Sequence, residues 1–91
     1  MSDTRTQDDT AITLLPQEQE GACKFSGRFV ATRNAVERFG DGVTLTALEL
    51  VRKQVALRGG MDYLQVLKVG GERLWIIDDV SVVTALLAED C

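Results

Sequence analysis

Between Tyr63 and Ile77 the chain runs through two stretches rich in β-branched, aromatic and leucine residues, separated by Gly70-Gly71. Two such runs around a glycine pair predict a hairpin with a two-residue turn, because glycine reaches the positive φ that a primed turn demands. The register follows from the turn. Val69–Glu72, Leu67–Leu74, Gln65–Ile76 and Tyr63–Asp78 share one face; Lys68–Arg73, Val66–Trp75, Leu64–Ile77 and Asp62–Asp79 share the other. The face with Leu64, Val66, Trp75 and Ile77 is expected to meet the core. The opposite face, with Tyr63, Leu67, Leu74 and Ile76, is then left outward, and it is too apolar to stand bare in water without consequence.

Upstream, Ala22–Ala31 alternates, with Cys23, Phe25, Phe29 and Ala31 on one side and Lys24, Ser26 and Arg28 on the other, which predicts a half-buried strand. Gly27 falls on its apolar side and marks a bulge or a close approach of another backbone. Asn34 and Glu37 have capping-box spacing and predict a short helix from Ala35 to Phe39, broken at Gly40-Asp41-Gly42. A longer helix follows from Thr44 to Leu57, stopped by Gly59-Gly60. At 100° per residue Leu45, Leu48, Val51 and Val55 form the stripe that meets the sheet, and Leu50 and Leu57 form a second ridge. Residues 80–90 are divided between strand and helix signals. The strand reading, about Val82 to Leu87, is preferred, with a helix as the alternative.

The fold expected from these elements is α+β, in the order β-α-α-β-β-β, with an antiparallel sheet packed on one long helix. Residues 1–20 form an acidic arm and 21–91 one domain. Within the arm Ile12, Leu14 and Leu15 form an apolar patch, most simply an edge strand laid on the domain. The arm holds one basic and five acidic residues. Of the chain's 10 Lys plus Arg and 14 Asp plus Glu, nine of each therefore remain in the body. A neutral body argues against nucleic-acid binding, which needs a concentrated basic surface. MSDTRTQDDT is too polar for a secretory signal or an anchor, and no apolar stretch is long enough to span a bilayer, so a cytoplasmic location is expected. In that compartment Cys23 and Cys91 stay reduced.

The absence of histidine removes imidazole bases, Ser/His and Cys/His nucleophile pairs and His-ligated metals together. The remaining candidate chemistry is Asp78-Asp79, with Asp62 opposite Asp79 in the hairpin register, where repelling carboxylates could share a divalent cation. Ordinary turn chemistry explains the same pair, so no metal or other cofactor is assigned. The expectation is a non-enzymatic module that binds protein through Tyr63, Leu67, Leu74 and Ile76, or through the Leu50 and Leu57 ridge. Metal-dependent activity at the aspartates is the alternative. Apolar surface on both sheet faces and on two sides of the helix exceeds what one small layer pair covers, which also predicts a homodimer through the outer sheet face, with Leu67 and Leu74 near its centre.

Asp62-Tyr63-Leu64-Gln65-Val66, Trp75-Ile76-Ile77-Asp78-Asp79 and Thr84-Ala85-Leu86-Leu87-Ala88-Glu89-Asp90 together resemble the C-terminal half of small proteins carried by phages and mobile elements. The resemblance implies a setting in which non-enzymatic inhibitors of bacterial defence, including anti-CRISPR proteins, are common. It carries no activity to particular residues.

Overall fold

A computed structural model describes residues 11–15 and 21–90 of the 91. Residues 1–10, 16–20 and 91, and with them most of the acidic arm and Cys91, lie outside the described residues. The fold is α+β, with one long helix on a five-stranded mixed sheet. The strands are β1 (Ile12–Leu14), β2 (Arg28–Ala31), β3 (Leu64–Val69), β4 (Glu72–Asp79) and β5 (Val82–Leu86), in the spatial order β1-β3-β4-β5-β2. The helix α1 (Arg33–Arg58) lies between β2 and β3 in sequence, and a single 3₁₀ turn follows β5 at Ala88–Asp90.

The Gly70-Gly71 hairpin has the predicted register throughout, from Val69 opposite Glu72 to Leu64 opposite Ile77. Ile12–Leu14 is an edge strand, antiparallel to β3, as the arm's apolar patch suggested. The segment after β4 is a strand paired antiparallel to it, so the helical alternative for residues 80–90 does not hold beyond the terminal 3₁₀ turn. The expected all-antiparallel sheet is corrected at β2, which runs parallel to β5. That pairing closes the sheet between residues far apart in the chain, and no local sequence signal reports it.

The first strand is also shorter than alternation predicts. Phe25 takes a left-handed backbone conformation (φ 53°) and breaks the extended run, leaving Cys23 in an isolated bridge with Met61. Tertiary contacts fix this departure: the Phe25 amide donates to Asp78 Oδ2 at 3.0 Å, and Arg52 Nε donates to the Phe25 carbonyl at 2.6 Å. Phe25 is thereby fully buried. At Gly27 the close-approach reading is the correct one, because a Cβ there would stand 2.6 Å from the backbone carbonyl of Ser81.

The two predicted helices join as α1, with a break at Gly40 (φ 86°, ψ 160°), a conformation that essentially only glycine holds without strain. The N-cap is Thr32, not Asn34. Thr32 leaves β2 in an extended conformation, and its hydroxyl accepts the Ala35 amide at 3.1 Å. Asn34 instead donates to Asp90 Oδ1 at 2.7 Å. The helix closes, as predicted, at Gly59 in the left-handed region. Leu48, Val51 and Val55 of the predicted stripe are buried, joined by Ala47 and Thr44, whereas Leu45 is half exposed.

Asp90 joins the 3₁₀ turn to the start of α1. Its Oδ2 accepts from the Thr32 hydroxyl (2.8 Å) and the Leu87 amide (2.9 Å). The Leu87 amide first, then Asn34 and Thr32, hold its carboxyl below the ordinary range. A carboxylate depressed in the folded state contributes stability above its unfolded value of about 3.9 and loses it as pH falls through the folded value. Thermal melts taken from neutral pH downward should therefore show wild-type stability falling more steeply below about pH 4 than that of Asp90→Asn. Parallel curves would remove Asp90 from the acid response.

Candidate interaction surface

The helix covers one face of the sheet and leaves the other open. Cross-strand partners share a face, so the register assigns every position. Toward the helix lie Leu14, Leu67 and Leu74, then Gln65, Ile76, Ala85 and Ala31, then Val83 and Phe29. On the open face the positions form four rows across the strands. Thr13–Lys68–Arg73 is followed by Val66–Trp75–Leu86, then Leu64–Ile77–Thr84–Val30, then Asp79–Val82–Arg28. The two middle rows are almost wholly apolar, and the two outer rows carry the charges. Leu64, Val66, Trp75, Ile77 and Val30 are half-buried and Leu86 is buried, although no described helix lies over them. They shield one another laterally, as neighbours on a pleated surface do.

This arrangement reverses the expected facing of the hairpin. Leu67, Leu74 and Ile76, expected on an exposed binding face, are fully buried against the helix. Leu64, Val66, Trp75 and Ile77, expected in the core, lie on the open face. Tyr63 is exposed, at 54%, but stands just before β3, outside the open-face rows. Leu50 is half-buried and packs against the core, while Leu57 is 76% exposed, so the proposed second ridge is not continuous. One signal for the true facing was available. Lys68 and Arg73 form a cross-strand pair next to Val66 and Trp75, and two cations cannot be sealed together beneath a helix. Gln65 on the opposite face misled, because it is fully buried. Its Nε2 donates to the Asp62 carbonyl at 3.1 Å, and its Oε1 has no partner among the described residues.

The aspartates do not converge. Asp78 Oδ2 is engaged by the Phe25 amide, Asp62 Oδ2 accepts the Leu64 amide at 3.4 Å, and Asp79 is exposed at the start of the β4–β5 turn. Among the described residues no three His, Cys, Asp or Glu side chains stand where they could hold a metal ion together. Asp78 does line a shallow cleft of about 260 Å³ with Ala22, Cys23, Lys24, Ser26 and Val80. Burial, followed by the charges of Asp78 and Asp62, pushes the Cys23 thiol up, which keeps it protonated and a poor nucleophile. Val80, at the tip of the β4–β5 turn, is 89% exposed and has a φ of 63°, an outlying conformation for a β-branched residue.

No described helix is long and apolar enough to cross a membrane. No family model, curated protein or solved structure matches this chain.

Proposed function

We propose that this chain is a non-enzymatic protein-binding module that docks its target on the open sheet face around Trp75. The observation that carries the reading is the apolar double row through Val66, Trp75, Leu64 and Ile77, flanked by charged rows and covered by no described element. An apolar centre inside a polar rim is the anatomy of a protein interface, and tryptophan is among the side chains that most often dominate one. Lys68 and Arg73 at one margin, with Arg28 and Asp79 at the other, supply orientation.

The resemblance to phage and mobile-element proteins supports a narrower role. The chain would inhibit a bacterial defence complex, such as a CRISPR effector, by occupying one of its surfaces in the host cytoplasm. Steric occupation needs no catalytic group, which fits a chain without histidine. The test is phage plaquing on hosts with active CRISPR systems of several types, with the chain expressed in trans. Wild type should restore plaquing on at least one host. Trp75→Glu should abolish the effect while its thermal melt stays cooperative. On a purified target, Trp75→Ala should weaken binding by about 2 kcal/mol or more, roughly 30-fold. Failure against every system would sink the inhibitor role, and full activity of Trp75→Glu would sink the open face as the docking site.

A further inference from the structure

β2 is the outermost strand on its side of the sheet, so its outer edge has no strand partner among the described residues. The Arg28 amide donates to the Ser81 carbonyl at 3.0 Å, and the Thr32 amide to the Ala85 carbonyl at 2.9 Å. Along a strand successive peptide groups point to opposite sides, so those of Phe29 and Ala31 point away from β5. Among the described residues, no backbone bond outside the β2–β5 ladder reaches either one. Natural sheets blunt such edges with very short strands, charged side chains, proline or a bulge; Arg28-Phe29-Val30-Ala31 is short and begins with a charge, but its outward residues Phe29 and Ala31 are apolar and no proline or bulge interrupts it. Beside the edge runs a groove of about 330 Å³ lined by Phe29, Ala31, Val36 and the half-exposed Leu45, with Asp41 and Thr44.

We propose that this edge pairs with the same edge of a second copy, antiparallel about Val30, and fuses two five-stranded sheets into one of ten strands. The register is dictated by the free groups. Two residues that both point outward exchange bonds when they stand opposite each other, so Phe29 faces Ala31 of the other copy and Ala31 faces its Phe29. This arrangement makes four hydrogen bonds, and Val30 meets Val30 on the two-fold axis. On the helix side a large ring is set against a small side chain and next to the groove. On the open side the apolar rows of the two copies become continuous, because Val30 ends the row that begins at Leu64.

Charge complementarity favours a second copy over an unrelated strand. In this register Arg28 lies opposite Thr32 of the other copy, whose hydroxyl holds the Asp90 carboxylate. Arg28 makes no ion pair among the described residues. Each guanidinium is thus set beside an anion of the other subunit, twice by symmetry.

The test uses the full chain carrying Cys23→Ser and Cys91→Ser. Val30→Cys in that background places two thiols in a non-hydrogen-bonded pair, about 4.5 Å apart at Cα, within the range that forms a disulfide. Mild oxidation should convert most of the protein to a cross-linked dimer, whereas Thr84→Cys, one strand inward, should remain uncross-linked. In sedimentation equilibrium the wild type should be dimeric at micromolar concentration. Ala31→Pro deletes an outward amide, and no bond within the chain, and should raise the dimer Kd roughly 100-fold through its two symmetric copies. Arg28→Asp should act in the same direction. A wild-type monomer at every accessible concentration overturns the proposal. So does a dimer indifferent to Ala31→Pro and Arg28→Asp, or cross-linking of Thr84→Cys as readily as Val30→Cys. The open-face reading is independent of all three outcomes.

Discussion

Replacing Leu67 and Leu74 together with glutamate should leave no cooperatively folded protein. The two side chains stand opposite each other on β3 and β4, are fully buried, and belong to one cluster with Leu48 and Val51 of α1. Truncating a single buried leucine to alanine costs about 2–5 kcal/mol. A carboxylate at such a position costs more, because it loses its hydration inside an apolar cluster. A domain of this size has roughly 5–15 kcal/mol of stability in all, so the double substitution exceeds the reserve. Far-ultraviolet circular dichroism with urea titration is the measurement. The informative companion is Val66→Glu, one row away on the open face, which should remain folded. A sigmoidal transition for Leu67→Glu with Leu74→Glu close to that of the wild type would return these residues to the surface.

The second large effect is expected at Gly27. A methyl group there would sit 2.6 Å from both the C and O atoms of Ser81 and 3.0 Å from the Val80 carbonyl oxygen. These are backbone atoms and cannot rotate aside. Relief requires the start of β2 to move off β5, which stretches the Arg28–Ser81 bond and disturbs the Gly27 carbonyl held by Arg52 Nη2 at 3.2 Å. Gly27→Ala should therefore destabilise by about 2–3 kcal/mol, as overpacking typically does. For a domain of this length that is a fall in Tm of roughly 10–20 °C. Gly71→Ala is the control, since its Cβ meets nothing within 4 Å and its backbone is outside the left-handed region. Equal melting of the two variants would mean that the β2–β5 junction yields easily.

What the sequence made legible divides along a physical line. Local signals were sufficient for the hairpin register, because two glycines fix the turn and the period of two fixes the rest. They also located the helix stop at Gly59, the break at Gly40 and the strand at Ile12–Leu14. Non-local facts were not legible. The parallel β2–β5 pairing and the left-handed turn at Phe25 depend on partners more than 50 residues away, such as Asp78, whereas the Thr32 cap is a local bond to Ala35 that the Asn34–Glu37 spacing obscured. The candidate surface falls between these cases. Its β3–β4 residues were read in the correct pairs, but the face expected to meet the helix was the wrong one, because both faces are rich in apolar side chains. Lys68 and Arg73, paired across the hairpin, mark the open face through the cost of burying two cations.

The contact between Thr32 and Asp90 spans 58 positions. Together with the β2–β5 ladder it makes the domain a non-covalent ring that encloses α1 and the whole β3–β4–β5 meander. Closing a ring of that size costs chain entropy that grows only with the logarithm of its length, but no reward arrives until both ends are in place. The meander and the helix can gather through short-range contacts, whereas β2 gains its ladder only when β5 is already ordered. High contact order is thus concentrated at the two edges of the sheet, at this seam and at the β1–β3 pairing, where Ile12 stands opposite Val69. The β2 seam carries Phe29, Val30 and Ala31, so one of the two long-range edges of the sheet is also the part that would meet a second copy.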